Sequence, residues 1–216
     1  MNVSLNAAEW VAIVPVKARH LAKTRLQPSH GTWRAELAGA FALDTLAAVC
    51  ACPSITSVIM VTDDDGLAEQ AADPKLRSTP DRANGDDINL AIAHGVRVAS
   101  RGGASRLVVL TADLPALRPY ELQEALAAAR PHDSAVVSDT ESTGSTMLSA
   151  SSPDLLHPRF GVDSFARHQA AGAVALEGQA WPGLRRDVDL PEQLAEVARL
   201  TLGPRTAEVL ERIALA

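Results

Sequence analysis

The stretch R-L-V-V-L-T-A-D-L-P-A-L, residues 106–117, decides the fold predicted for this chain. Residues 107–110 are a continuous, β-branched apolar run, typical of a strand buried on both faces of a mostly parallel sheet. Asp113 follows where that strand would end, and Pro115 directs the chain into a turn. Parallel α/β sheets bind ligands outside the carboxyl ends of their strands, so Asp113 is a candidate metal ligand. Capping of the next helix explains Asp113 equally well on this stretch alone.

Alternating strand and helix patterns around this stretch predict an α/β protein. Further strands are expected at residues 11–16, 57–61, 76–79 and 134–138. Helices are expected at residues 33–49, 67–72, 88–99, 119–129, 160–171, 191–202 and 204–215. Residues 184–191 also resemble a strand, which would place Asp187 and Asp189 on one face because side chains alternate. With 216 residues and neither repeats nor linkers, a single domain spanning residues 1–216 is expected.

Composition argues against several classes of partner. The net charge is −6 and aromatic residues make up 3%, whereas nucleic acids and anionic membranes select basic faces or stacking platforms. The first ten residues lack the features of a signal peptide, and no apolar run reaches spanning length. Cys50 and Cys52 form a lone C-x-C pair, more typical of packing than of a zinc site. We therefore expect a cytoplasmic protein that acts on small molecules.

A basic segment follows the first predicted strand. It contains Lys17, Arg19, His20, Lys23 and Arg25. Phosphate groups in α/β folds are commonly bound in the first strand-to-helix connection, so this cluster in an acidic protein favours phosphate binding. A solvated basic loop is the alternative.

Small and polar residues elsewhere offer further binding positions. Thr146 ends the run T-G-S-T, and Gly161 and Ser164 lie at the start of a predicted helix, where amides and the helix dipole favour anions. Gly85 permits a close backbone approach, and the Asn89 amide both donates and accepts, as recognition of a base requires. Plain turns and helix starts use the same residue types, and that alternative stays open.

Three carboxylates are expected to converge, those of Asp113, Asp187 and Asp189. Mg²⁺ is usually held by one or two carboxylates together with substrate phosphates. Together with the basic segment, this combination predicts phosphoryl or nucleotidyl transfer. A non-catalytic nucleotide-binding module is the alternative from another class, and the carboxylates weigh against it because without a metal they repel a triphosphate.

Several motifs follow one another along nearly the whole chain: V-P-V-K (14–17) with K-T-R-L (23–26), T-A-D-L-P-A-L (111–117), T-G-S-T (143–146), F-G-V-D-S-F-A-R-H (160–168) and D-V-D-L-P (187–191). In this order they resemble the guanylyltransferases of coenzyme F-420 biosynthesis. Bacterial members use phosphoenolpyruvate, and archaeal relatives use 2-phospho-L-lactate. The resemblance implies the nucleotide-diphospho-sugar transferase fold, a Rossmann-like mixed, mostly parallel sheet with helices on both faces.

The resemblance also implies a reaction, in which GMP passes from GTP to the phosphate of phosphoenolpyruvate and pyrophosphate is released. It assigns Mg²⁺ to Asp113, Asp187 and Asp189; phosphoenolpyruvate to Thr146, Gly161 and Ser164; GTP to Lys17, Lys23, Arg25, Gly85 and Asn89; and catalysis to Lys17 and Asp113.

Other acceptors and relatives stay open. 2-Phospho-L-lactate and 3-phosphoglycerate carry the same carboxylate and phosphate groups, and phosphoenolpyruvate is preferred because the Ala- and Arg-rich composition is typical of actinobacteria. A molybdenum-cofactor guanylyltransferase would carry a Gly-rich loop after the first strand, whereas no glycine lies between Val11 and His30. A homodimer is compatible with this reading.

Overall fold

A computed structural model describes residues 9–23, 26, 33–81, 87–176 and 181–215. Within them, one sheet has the order β3-β2-β1-β4-β6-β5-β7. Its strands are β1 (Trp10–Pro15), β2 (Ile55–Val61), β3 (Leu76–Thr79), β4 (Arg106–Leu110), β5 (Ser134–Ser138), β6 (Ser145–Ala150) and β7 (Val174–Ala175). β6 is antiparallel to its neighbours β4 and β5, and every other pairing is parallel. The predicted mixed, mostly parallel sheet is confirmed.

Helices cover both faces of the sheet. They are α1 (Arg34–Ala51), α2 (Asp65–Gln70), α3 (Ile88–Arg101), α4 (Pro119–Ala129), α5 (Ser164–Ala170), α6 (Pro182–Arg185), α7 (Pro191–Val197) and α8 (Pro204–Ala214). α1 and α4 bury Leu46 and Leu122 against one face, and α3 buries Ile92 against the other. Among the described helices, none combines the length and apolar character needed to cross a bilayer.

Close packing of β1 and β4 fixes the centre of the sheet. Residues 107–110 of β4 are fully buried between β1 and β6, and burying each such side chain stabilises the fold by roughly 1.5–3 kcal/mol. Gly95 lets α3 approach β1, because a Cβ there would lie 2.6 Å from the Ile13 side chain. Because β1, β2, β3 and β4 are parallel, their carboxyl ends face one edge of the sheet, where the segments that follow them meet.

The prediction of a strand at residues 184–191 is wrong. Pro182 begins the short helix α6, and residues 186–190 belong to no helix or strand. Proline suits the first position of a helix, and the Val188 amide donates to the carbonyl oxygen of Asp113 at 3.2 Å instead of joining a sheet edge. This bond nevertheless places Asp187 and Asp189, on either side of buried Val188, beside the turn that follows β4.

Smaller differences also concern the second half of the chain. β6 was not predicted as a strand, and the helix expected at residues 160–171 begins at Ser164. The helix expected to reach residue 202 ends at Val197. β7, which pairs with β5, was not predicted, because two residues are too few to show an alternating pattern. Cys50 and Cys52 are both buried and unpaired, as expected for packing residues.

Candidate active site

A cleft of about 340 Å³ opens at the carboxyl edge of the parallel strands. The segments after β1, β3 and β4 form its walls, together with residues of α1 and α3. Lys17, Lys23, Asp113 and Asp189 all line it. The cleft therefore brings the predicted basic segment and two of the three predicted carboxylates into one site. Its volume is that of a pocket for a small molecule.

The Lys23 ammonium lies between two of these carboxylates. Its Nζ donates to Asp113 Oδ2 at 2.5 Å and to Asp189 Oδ1 at 2.6 Å. Burial disfavours the charged ammonium, but the two carboxylates outweigh burial and raise the pKa of Lys23. One cation thus neutralises acids from two segments that are distant in sequence.

Asp187 completes this acidic group. Burial, followed by the negative charges of Asp113 and Asp189, raises the pKa of Asp187 to about 8. Asp187 Oδ1 and Asp113 Oδ1 are buried and have no hydrogen-bond partner within the described part of the chain. Carboxylate oxygens of this kind are the ligands that Mg²⁺ prefers, so the residues fit a divalent cation. Their role as metal ligands stays a prediction.

A second acidic group, missed from the sequence, shares Asp187. Ligand oxygens of Asp139, Glu141 and Asp187 lie within 4.8 Å of one another. Both oxygens of the Asp139 carboxylate already have hydrogen-bond donors, since they accept from the amides of Thr143 at 2.9 Å and Gly144 at 2.6 Å. Asp139 therefore shapes the turn between β5 and β6. Its position directly after a strand was the available signal.

One arginine of the basic segment stabilises the fold, whereas its lysines Lys17 and Lys23 line the cleft. Arg19 pairs with Asp64, with Nε at 2.8 Å from Oδ2 and Nη2 at 3.0 Å from Oδ1, which anchors the segment to the connection after β2. Lys17 is exposed at the cleft. Arg25, like Gly85 of the predicted guanine contacts, lies outside the described residues.

The predicted acceptor residues lie along β6 and α5. Thr146 is buried in β6, and its Oγ1 has no partner among the residues described. Its carbonyl oxygen accepts from the Thr111 amide at 3.1 Å, which sets it beside the turn that carries Asp113. Gly161 has φ +119°, a left-handed conformation that favours glycine. Ser164, the buried first residue of α5, follows it.

Asn89 and His168 contact the loop before α5. Asn89 Oδ1 accepts from the Phe160 amide at 2.8 Å, and its Nδ2 donates to the Phe160 carbonyl oxygen at 3.1 Å. His168 Nε2 accepts from the Arg159 amide at 2.9 Å. The ring proton therefore lies on Nδ1, which donates to Ser145 Oγ at 2.9 Å.

Comparison with known proteins identifies the family. A family model described as the MobA-like NTP transferase domain matches residues 34–179. The chain is 47% identical over 201 residues, 92% of each chain, to the phosphoenolpyruvate guanylyltransferase of Salinispora arenicola. It is 43% identical over 211 residues, 93% of this chain and 94% of the relative, to the phosphoenolpyruvate guanylyltransferase of Geodermatophilus obscurus. The chain belongs to this family. The resemblance carried by the motifs is confirmed, and the phosphoenolpyruvate guanylyltransferase family is a family of nucleotidyltransferases.

Solved structures confirm the fold of this family member. A Desulfovibrio desulfuricans protein described as a nucleotide-diphospho-sugar transferase superposes with a TM-score of 0.70 at 18% identity, covering 97% of both chains. A 4-diphosphocytidyl-2C-methyl-D-erythritol synthase from Anaerococcus prevotii gives a TM-score of 0.60 at 12% identity, covering 94% of this chain and 96% of its own. The predicted nucleotide-diphospho-sugar transferase fold is therefore correct.

His168 gives this guanylyltransferase-family protein a testable pH dependence. Burial, then the charges of Arg167 and Arg159, lower the pKa of His168 from 6.5 to about 4. The unfolded chain binds this proton at higher pH than the folded protein does, so this contribution to stability is lost as pH falls from 6.5 to about 4. Between these pH values, Tm is expected to fall more steeply for the wild type than for His168→Gln, measured by circular dichroism.

The control for this measurement is His157→Gln, because His157 is exposed. Its Tm should follow that of the wild type over the whole range. Parallel Tm curves for the wild type and His168→Gln would contradict a neutral, buried His168.

Proposed function

We propose that the chain transfers GMP from GTP to the phosphate of phosphoenolpyruvate, giving enolpyruvoyl-diphospho-guanosine and pyrophosphate. The observation that carries this proposal is the group of Asp113, Asp187 and Asp189 gathered at the cleft that Lys17 and Lys23 line. The names of the relatives support the acceptor and the guanine nucleotide. The proposal extends to a role in coenzyme F-420 biosynthesis in the cytoplasm.

Asp113, Asp187 and Asp189 would hold Mg²⁺. When bound there, the ion supplies positive charge that neutralises the triphosphate. The oxygens of Asp113 and Asp187 that lack a partner among the described residues support this assignment, because buried polar atoms normally have partners. Lys17 and Lys23 add positive charge at the same cleft, and the absence of a Gly-rich loop leaves more of the phosphate binding to these side chains.

No general base is required for the proposed reaction. The phosphate of phosphoenolpyruvate is already ionised at neutral pH, so its oxygen attacks the α-phosphorus of GTP directly. The new P–O bond forms as the bond from the α-phosphorus to the bridging oxygen breaks, and pyrophosphate leaves. The residues contribute by orienting the two substrates and by neutralising charge, Lys17 and Asp113 at the reacting groups.

Thr146, Gly161 and Ser164 would bind the acceptor. The Thr146 hydroxyl lies beside the Asp113 turn and has no partner in the described part of the chain. This hydroxyl and the backbone around Gly161 offer donors to a carboxylate and a phosphate. 2-Phospho-L-lactate and 3-phosphoglycerate present the same two groups and are the competing acceptors. Contacts of guanine with Gly85 and Asn89 stay a prediction.

A pyrophosphate-release assay tests the proposal. With GTP and Mg²⁺, phosphoenolpyruvate is expected to give the highest kcat/KM of the three acceptors, and replacing GTP by ATP or CTP should lower the rate strongly. Higher kcat/KM with another acceptor would reassign the substrate. Binding of GTP without acceptor-dependent pyrophosphate release would instead favour the non-catalytic nucleotide-binding module.

A further inference from the structure

The loop of residues 159–163 is held by two side chains from outside it. Asn89, in the first turn of α3, bonds both the amide and the carbonyl oxygen of Phe160, at 2.8 and 3.1 Å. His168 accepts from the Arg159 amide at 2.9 Å, and its ring packs edge-on against Phe160 with centroids 4.9 Å apart. Two consecutive residues of the loop are therefore fixed immediately before Gly161.

This loop needs such support because its backbone is unfavourable. Gly161 has φ +119° and Asp163 has φ +53°. Non-glycine residues in the left-handed region carry conformational strain and persist where the surrounding structure holds them. Val162, between them, is 83% exposed and has little packing of its own. The contacts at Arg159 and Phe160 thus determine where the loop lies.

The two supporting side chains connect the loop to both halves of the site. Asn89 lies in α3 between Ile88 and Ala91, which line the cleft. His168 donates to Ser145, the residue before Thr146 in β6. The loop is consequently fastened to the wall of the proposed nucleotide site and to the strand of the proposed acceptor site.

We propose that Asn89 and His168 are positioning residues for the acceptor. By fixing the peptide groups of Arg159 and Phe160, they set the orientation of Gly161 and of Ser164 at the start of α5. This inference rests on the proposed function and deepens it, since it assigns to these two residues the geometry of the acceptor site.

For Asn89 the inference competes with the predicted guanine contact. Both polar atoms of its amide already bond Phe160, one as acceptor and one as donor. Recognition of a base by these atoms would require shared or broken bonds to the loop. The two roles predict different kinetics, because a guanine contact affects KM for GTP and a positioning residue affects KM for the acceptor.

Asn89→Ala separates the two roles. We expect KM for phosphoenolpyruvate to rise roughly tenfold, the effect of losing two neutral hydrogen bonds, while KM for GTP stays within about twofold. Amide hydrogen exchange at Phe160, followed by NMR, should become faster in the same variant. Asn89→Asp keeps the acceptor for the Phe160 amide but turns a carboxylate oxygen towards the Phe160 carbonyl oxygen, so its KM for phosphoenolpyruvate should also rise.

The matched control is Ser100→Ala, at the far end of α3, where the lost bond is to Val96 within the helix. It should leave both KM values and Phe160 exchange unchanged. A rise in KM for GTP alone, equal rises in both KM values, or no change in either would overturn the role of Asn89. If Asn89→Ala fails to fold, the same outcomes are read from Asn89→Asp.

His168 is tested in parallel by a conservative and a non-conservative change. His168→Gln retains an acceptor for the Arg159 amide, whereas His168→Phe fills the space without one. KM for phosphoenolpyruvate should rise more in His168→Phe, and equal values would overturn its positioning role. If the wild type shows no acceptor-dependent pyrophosphate release, the proposed function fails, whereas unchanged Phe160 exchange in Asn89→Ala would overturn the loop inference separately.

Discussion

Asp113→Asn is expected to lower kcat for pyrophosphate release by roughly a thousandfold while the fold stays intact. Asp113 follows β4, whose residues 107–110 are fully buried, and its Oδ1 has no partner among the described residues. Asn removes one negative charge and presents an amide group where a cation ligand is proposed. Little stability should be lost, because the change relieves repulsion with Asp187. The Asn oxygen can still accept from Lys23, whose ammonium keeps its ion pair with Asp189.

Asp154→Asn is the matched control for this variant. Asp154 is exposed in the turn after β6, which ends at the opposite edge of the sheet from the cleft. Its kcat should equal that of the wild type, and circular dichroism should show native spectra for both variants. Normal turnover in Asp113→Asn would remove Asp113 from the mechanism.

The apolar runs of the sequence predict the parallel part of the fold well. The run at residues 107–110 is apolar on both faces, and a strand with neighbours on both sides is the arrangement that buries it. β6 is harder to predict, because Ser145, Thr146 and Ser149 interrupt its apolar character although all six positions are buried. The hydroxyls of Ser145 and Ser149 are accommodated by contacts with the His168 ring and the Ala135 carbonyl oxygen, which local patterns do not show.

The candidate site was predictable where it depends on strand ends. Asp113 follows an apolar run, and ligands of parallel sheets bind at the carboxyl ends of strands, so its place in the site was predictable. The D-V-D spacing indicated that Asp187 and Asp189 share a side, even though the segment is not a strand. The contact between Asn89 and Phe160 joins residues 71 positions apart in the sequence, so no local pattern predicts it. The sequence predicts that Asn89 contacts a base, and the structure adds two bonds from its amide to the Phe160 peptide groups.

Lys23→Met is expected to destabilise the protein without divalent cations by about 3 kcal/mol, the effect of breaking a buried ion pair. The Lys23 ammonium, with a side chain 11% exposed, bonds both Asp113 and Asp189. Met keeps the apolar stem but leaves these carboxylates and Asp187 repelling one another. Urea unfolding in EDTA should show the loss, and Mg²⁺ should stabilise the variant more than the wild type, because a ligand that binds the folded state shifts the equilibrium toward it.

The control for Lys23→Met is Lys75→Met, since the Lys75 ammonium donates to the carbonyl oxygens of Cys50 and Cys52 and does not line the cleft. This variant should lose stability to the same extent with and without Mg²⁺. A dependence on Mg²⁺ confined to Lys23→Met would mean that the ammonium and the divalent cation neutralise the same three acids. Equal responses in both variants would contradict a shared site and would leave Lys23 as an ordinary buried ion pair.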